Sequence, residues 1–157
     1  MSKWESAGQS DEWYTPKYVF DALACKFDMD VAAPKDRTHC HVPAKRFITE
    51  GSLQMDWNGF VWMNPPFGKR NAIIEWLDKI YAHHNGIALT PDRTSAPWWQ
   101  RAARQSDSKL FVKGKIKFVR PDGSIGKSPS TGTTLFAYGE KAKHALVMAE
   151  IHGLGTF

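Results

Sequence analysis

The residues of this chain best suited to chemistry stand together at Val61-Trp62-Met63-Asn64-Pro65-Pro66-Phe67-Gly68. An apolar run of strand formers stops at Asn64, and the two prolines that follow forbid continuation as a ladder or a helix. Proline lacks an N–H, fixes its own φ and drives the preceding residue toward extended geometry. Asn64 and Pro65 are therefore held extended. The Asn64 side-chain oxygen and the Pro65 carbonyl become two acceptors beside the Phe67 ring. Such a corner suits a planar amine. Two acceptors aimed at its two N–H bonds localise a lone pair otherwise delocalised into a ring and stabilise the positive charge that builds as the nitrogen attacks. The exocyclic amine of a nucleobase receiving a methyl group fits this description, and Phe67 offers a stacking surface for a base taken out of the duplex. Asn and Pro also end strands for purely local reasons, so the elements around the corner have to decide.

Those elements alternate. Thr15 is placed as a helix N-cap, with Pro16 in the first turn of a helix running to about Cys25. Residues 29–33 read as a buried strand and residues 60–63 as another. Residues 71–83 carry Ile73, Ile74, Leu77, Ile80 and Tyr81 at helical spacing, with Gly86 beyond the end. A strand over 87–90, a helix from Ser95 to about Gln105, strands over 109–112, 115–119 and 134–138, and a helix over 140–150 complete the series. Residues 35–47 and 121–133 read as loops. The expected fold is α/β: a Rossmann-like, mostly parallel sheet with helices on both faces. In such a sheet, ligands bind at the carboxyl ends of the strands, where Asn64 stands. One domain over residues 11–157 is expected, behind a disordered or loosely docked tail of residues 1–10.

Composition sets outer limits. The chain has 157 residues, 42% of them hydrophobic and 24% charged, which is ordinary for a globular protein able to bury a core. No stretch approaches the roughly 20 apolar residues of a membrane span. The two cysteines suit an intracellular chain, so the cytoplasm is the expected location, and no membrane partner is expected. A net charge of +5 is compatible with a polyanion, and Lys109, Lys113, Lys115, Lys117, Arg120 and Lys127 cluster near one another in sequence. His39-Cys40-His41 would be the natural place for a metal, but adjacent ligands do not give the spacing a metal site needs, and no metal is expected.

Taken together, several segments resemble one family, the bacteriophage-type (Dam-like) DNA N-6-adenine methyltransferases. These are Asp11-Glu12-Trp13-Tyr14-Thr15-Pro16, Phe27-Asp28-Met29-Asp30-Val31-Ala32-Ala33, Val61 through Gly68, Pro91-Asp92-Arg93-Thr94 with Trp98, and Lys113-Gly114-Lys115-Ile116-Lys117-Phe118. The resemblance implies S-adenosylmethionine as methyl donor and adenine in double-stranded DNA as acceptor, in host cytoplasm if the chain is phage-encoded. It implies that Asn64, Pro65, Pro66 and Phe67 form the catalytic loop receiving the flipped base. Tyr14, Thr15 and Pro16 match the segment touching the amino-acid end of the donor. Asp30, with Ala32 close by, stands where the donor's amino group is held, and Asp56 where its adenine or ribose would be reached. Arg93, Lys113, Lys115, Lys117 and Lys127 are expected on DNA. One departure is plain: Asp30-Val31-Ala32-Ala33-Pro34 stands where methyltransferases of this broad class carry a glycine-rich loop. With no separate recognition domain, any reading of DNA sequence falls to the loops at 35–46, 92–99 and 121–133. Two rival readings remain: another planar amine as acceptor, in cytosine, RNA or a protein amide, or a basic DNA-binding module that has lost catalysis.

Overall fold

The structure is a computed structural model and describes residues 13–66 and 71–157. In chain order its elements are α1 (Lys17–Leu23), β1 (Phe27–Asp30), β2 (Ala44–Phe47), a short 3-10 turn (Ser52–Gln54), β3 (Val61–Met63), α2 (Ala72–His83), β4 (Gly86–Pro91), α3 (Pro97–Gln105), β5 (Ser108–Val112), β6 (Thr133–Tyr138), α4 (Glu140–Ile151) and β7 (Gly155–Thr156). The strands form one sheet in the order β2-β1-β3-β4-β6-β5-β7.

The side-chain period of two divides each strand between two cores. Trp62, Ile87, Leu89, Leu135 and Ala137 face the layer built by Val19, Phe20 and Leu23 of α1 and Ala142, Ala145, Leu146 and Ala149 of α4. Val61, Met63, Ala88, Phe136 and Tyr138 face Ile73, Leu77 and Ile80 of α2 and Trp99 and Ala102 of α3. Helices thus cover both faces, as the alternation of elements predicts. Trp62, two residues before Asn64, is buried edge-on against Phe20, with ring centroids 4.8 Å apart. Phe27 and Phe60 stack at 4.9 Å beneath it. Burial of each large ring contributes about 2–3 kcal/mol, so the strand carrying Asn64 is anchored from below.

The sheet is mixed rather than mostly parallel. β1 pairs in parallel with β2 and β3, and β3 with β4. β6 is antiparallel to both β4 and β5, and β7 is antiparallel to β5. Parallel neighbours need a crossover, usually a helix. No helix lies between β5 and β6, and β6 enters between β4 and β5 in the reverse direction.

Two strands were not legible in sequence. β2 is a half-exposed edge strand reading Ala-Lys-Arg-Phe, inside a segment expected to be loop, and β7 has two residues. Conversely, residues 115–119 belong to no ladder strand. Lys115 and Lys117 are exposed and Ile116 and Phe118 buried, so the expected alternation is there, but only Val119 forms bridges, to Tyr14 and Ile125. The expected tail at residues 1–10, together with Asp11, Glu12, Phe67 and Gly68, lies outside the described residues.

Candidate active site

β1, β2, β3 and β4 run the same way, so their carboxyl ends share one edge of the sheet. A cavity of about 350 Å³ opens there. Its walls are Asp30 through Pro34 after β1, residues 48–54 after β2, Asn64 and Pro66 after β3, Trp13 through Thr15 ahead of α1, residues 40–42, and Trp76 of α2.

β3 ends at Met63, and residues 64–66 form neither ladder nor helix, as the two prolines predict. Pro65 is buried, Pro66 exposed and Asn64 half-buried. The Asn64 amide Nδ2 donates to the Thr15 hydroxyl oxygen at 3.2 Å. Among the described residues, none donates to the Asn64 Oδ1 or to the Pro65 carbonyl. Phe67, the expected stacking ring, is outside the described residues.

Thr15 does not cap α1. Pro16 occupies the N-cap position and no side chain caps the helix. The reason is local: Pro16 sits at φ −68° and ψ 154°, extended rather than helical, so Thr15 stands one residue too early. Tyr14 exchanges two 2.8 Å backbone hydrogen bonds with Val119, and its hydroxyl donates to the Asp36 carbonyl at 2.6 Å. One residue thereby ties together the α1 approach, the 113–132 segment and the wall at 34–43.

Asp30 is 2% exposed, at the end of β1. Its Oδ1 accepts from the Ala32 N–H at 3.2 Å. Burial pushes its carboxyl up to about 7, with the Ala32 bond opposing only part of that rise. The same bond explains how the chain turns here without glycine. An aspartate accepting from the N–H two residues on builds a turn by itself, and residues 31–34 have no positive φ. Ala32 and Ala33 keep the cavity wall low.

Asp56 is not brought to the cavity. It is exposed, on the stretch running back to the amino end of β3, whereas the cavity lies at the carboxyl ends. Glu50 lines the cavity instead, and sequence reasoning missed it. It follows β2, and only recognition of that edge strand would have pointed to an acid just past its carboxyl end.

The basic residues do not all lie together. Lys115, Lys117 and Lys127 are exposed, and Arg93 is half-buried just beyond β4. Lys113 lies elsewhere, in a shallow cleft with Tyr18, Asp21 and His152. Between Lys117 and Lys127 the chain forms a hairpin around the Val119–Ile125 bridge. Gly126 in it packs so closely on Trp13 that a Cβ would come 2.4 Å from the ring, and the Arg120 guanidinium covers the same ring at 5.5 Å. Cys40 and His41 line the cavity, but among the described residues no three His, Cys, Asp or Glu side chains are grouped to hold a metal ion. No helix among them is long and apolar enough to cross a membrane.

Fold and cavity define a class: an α/β protein with a cleft at the carboxyl edge of parallel strands, lined by the Asn64 amide and the buried Asp30 carboxyl. Within it, the chain belongs to the DNA N-6-adenine-methyltransferase (Dam) family, which it matches over residues 3–143. It is similar to the DNA N-6-adenine-methyltransferase of Escherichia phage T1, with 25% identity over 140 residues. That alignment covers 85% of this chain but 56% of the phage protein, so the chain spans little more than half the length of that relative. No solved structure matches it.

Proposed function

We propose that this protein transfers a methyl group from S-adenosylmethionine to the exocyclic amine of an adenine flipped out of double-stranded DNA. The observation that carries this is the Asn64 amide at the cavity wall, bonded through its nitrogen to the Thr15 hydroxyl, with no donor to its oxygen among the described residues. Two acceptors set by prolines stabilise charge on an attacking amine without reorganising. Family membership favours adenine in DNA over cytosine, RNA or a protein amide.

The cavity's residues suit the donor. Its volume falls in the range of small-molecule sites, about 300–1,000 Å³. Asp30 is a buried carboxyl whose single hydrogen-bond partner leaves it in need of a cation, which the donor's amino group supplies. Ala32 allows close approach, Glu50 offers an acceptor for ribose hydroxyls, and Tyr14 and Pro16, on either side of Thr15, close the amino-acid end. S-adenosylmethionine brings an electrophilic methyl on a sulfonium; the chain's own work is to hold, orient and exclude water. We read the sheet as a Rossmann-like variant in which the Asp30-capped turn replaces the glycine-rich loop. Missing glycines are then no sign of a decayed enzyme. On the DNA side, Lys115, Lys117 and Lys127 contact phosphates, Arg93 and Lys113 add lesser contacts, and Phe67 stacks on the flipped base. Phosphate contacts position the duplex without specifying sequence.

Labelled donor, duplex DNA and nucleoside analysis test the reading. N6-methyladenine is expected from the wild type. Asn64→Ala is expected to lower transfer about a hundredfold or more while leaving donor binding in place. Methylcytosine as the product, or an active Asn64→Ala variant, would overturn it.

A further inference from the structure

An asparagine is an ambiguous acceptor. Its amide rotates about a soft, broad torsion, and the two ends differ in sign: the oxygen accepts and the NH2 donates. Turned the wrong way, Asn64 would present N–H bonds to an amine that carries N–H bonds of its own. The prolines hold the backbone of the corner but leave that torsion undecided, so another group has to choose.

The group in place is Thr15. Its hydroxyl oxygen is 3.2 Å from Asn64 Nδ2, across 49 positions of sequence. Thr15 is 3% exposed, so water does not compete freely for that oxygen. Its backbone is held on both sides, by the Tyr14–Val119 bonds before it and by the fixed φ of Pro16 after it. Helix α1 makes no use of the hydroxyl as a cap, which leaves it for Asn64.

We infer that Thr15 is a positioning residue whose buried hydroxyl, hydrogen-bonded to Asn64 Nδ2, pins the side-chain amide of Asn64 in place at the cavity wall. This rests on the reading of Asn64 as the acceptor for the amine. By taking a hydrogen bond from Nδ2, the hydroxyl engages the nitrogen, and Oδ1 has no donor among the described residues. Thr15 then acts on turnover through Asn64, and not on how tightly the methyl donor is held.

The experiment compares Thr15→Val, nearly the same shape without a hydroxyl, with Thr15→Ser, which keeps it. Thr15→Ala is included in case the buried valine methyl prevents folding. Turnover is measured with labelled S-adenosylmethionine and duplex DNA, donor affinity by calorimetry, and the Asn64 side-chain amide by 15N NMR. Thr15→Val and Thr15→Ala are expected to lose about tenfold in kcat, the factor that accompanies one hydrogen bond. Donor Kd should stay within about twofold, Thr15→Ser should recover most of the rate, and the Asn64 amide resonances should move in Val and Ala but not in Ser. A wild-type kcat in Thr15→Val, or weakened donor binding at unchanged kcat, would overturn the inference. A wild type that methylates no adenine would instead overturn the reading of Asn64, and the amide resonances would still report whether Thr15 orients it.

Discussion

Asp30 carries the sharpest consequence of burial at a single residue. Its carboxyl is pushed up to about 7 in the folded chain, whereas an unfolded aspartate releases its proton near pH 4. Between those values the folded state holds a proton the unfolded state has lost. Stability contributed by the neutral form is therefore present at low pH and lost as pH rises through that window. Without ligand, the urea midpoint is expected to fall from pH 5 to pH 8. Asp30→Asn should flatten that fall and be more stable than wild type near neutrality, by an amount on the order of a few kcal/mol. Donor affinity should move the opposite way and rise toward pH 8, because a cation pairs with the ionised carboxyl. Titration calorimetry across this range checks it, and a pH-independent affinity would separate Asp30 from the donor. Asp30 was legible in sequence, since an aspartate in an apolar strand calls for a partner. Glu50 was not, because its significance depends on a strand that sequence did not disclose.

Among the elements, β3 has the most to do: it buries Trp62 on one face, Val61 and Met63 on the other, and delivers Asn64. Its pairing with β4 depends on Gly86, where an added Cβ would meet both Val61 Cγ2 and the Val61 carbonyl oxygen at 2.5 Å. Gly86→Ala is expected to push the strands apart at a cost of about 1–3 kcal/mol, read by chemical denaturation, with methyl transfer falling in step. The wall at 34–43 depends on the Tyr14 hydroxyl at Asp36. Tyr14→Phe should cost about 1 kcal/mol and speed limited proteolysis between residues 34 and 43. α2 could be read from sequence by its periodic apolar face, and β3, β4 and β6 as strands buried along their whole length. β2 could not, being a charged edge strand; nor could the reversal of β6, since a strand's direction depends on where the chain re-enters the sheet.

For the whole molecule, the proposed function requires a mildly basic protein to meet DNA. Each phosphate that a lysine no longer neutralises is expected to remove about 0.9 from the slope of log affinity against log salt. Replacing Lys115, Lys117 and Lys127 by Gln should lower that slope measurably in fluorescence anisotropy. Lys113→Gln should change it less, because Lys113 lies in the cleft with Tyr18 and His152, away from the cavity. An unchanged slope in the triple variant would move the DNA surface elsewhere. The Val119–Ile125 bridge brings Lys127 opposite Lys117 across the hairpin, whereas Lys113, before the turn at Gly114, lies in the other cleft.

What sequence alone determined was where β3 stops: two prolines leave Asn64 and Pro65 no ladder and no helix, a steric fact within four residues. It also determined the elements with periodic apolar faces and the aspartate ending β1. Tertiary structure decided which groups meet there: the Thr15 hydroxyl at the Asn64 amide, Glu50 in place of Asp56, and the Tyr14 bond that closes the wall. Local sterics act between neighbours in sequence and can be read from it. Contacts across 49 positions depend on how the sheet is ordered and buried, which only the folded chain settles.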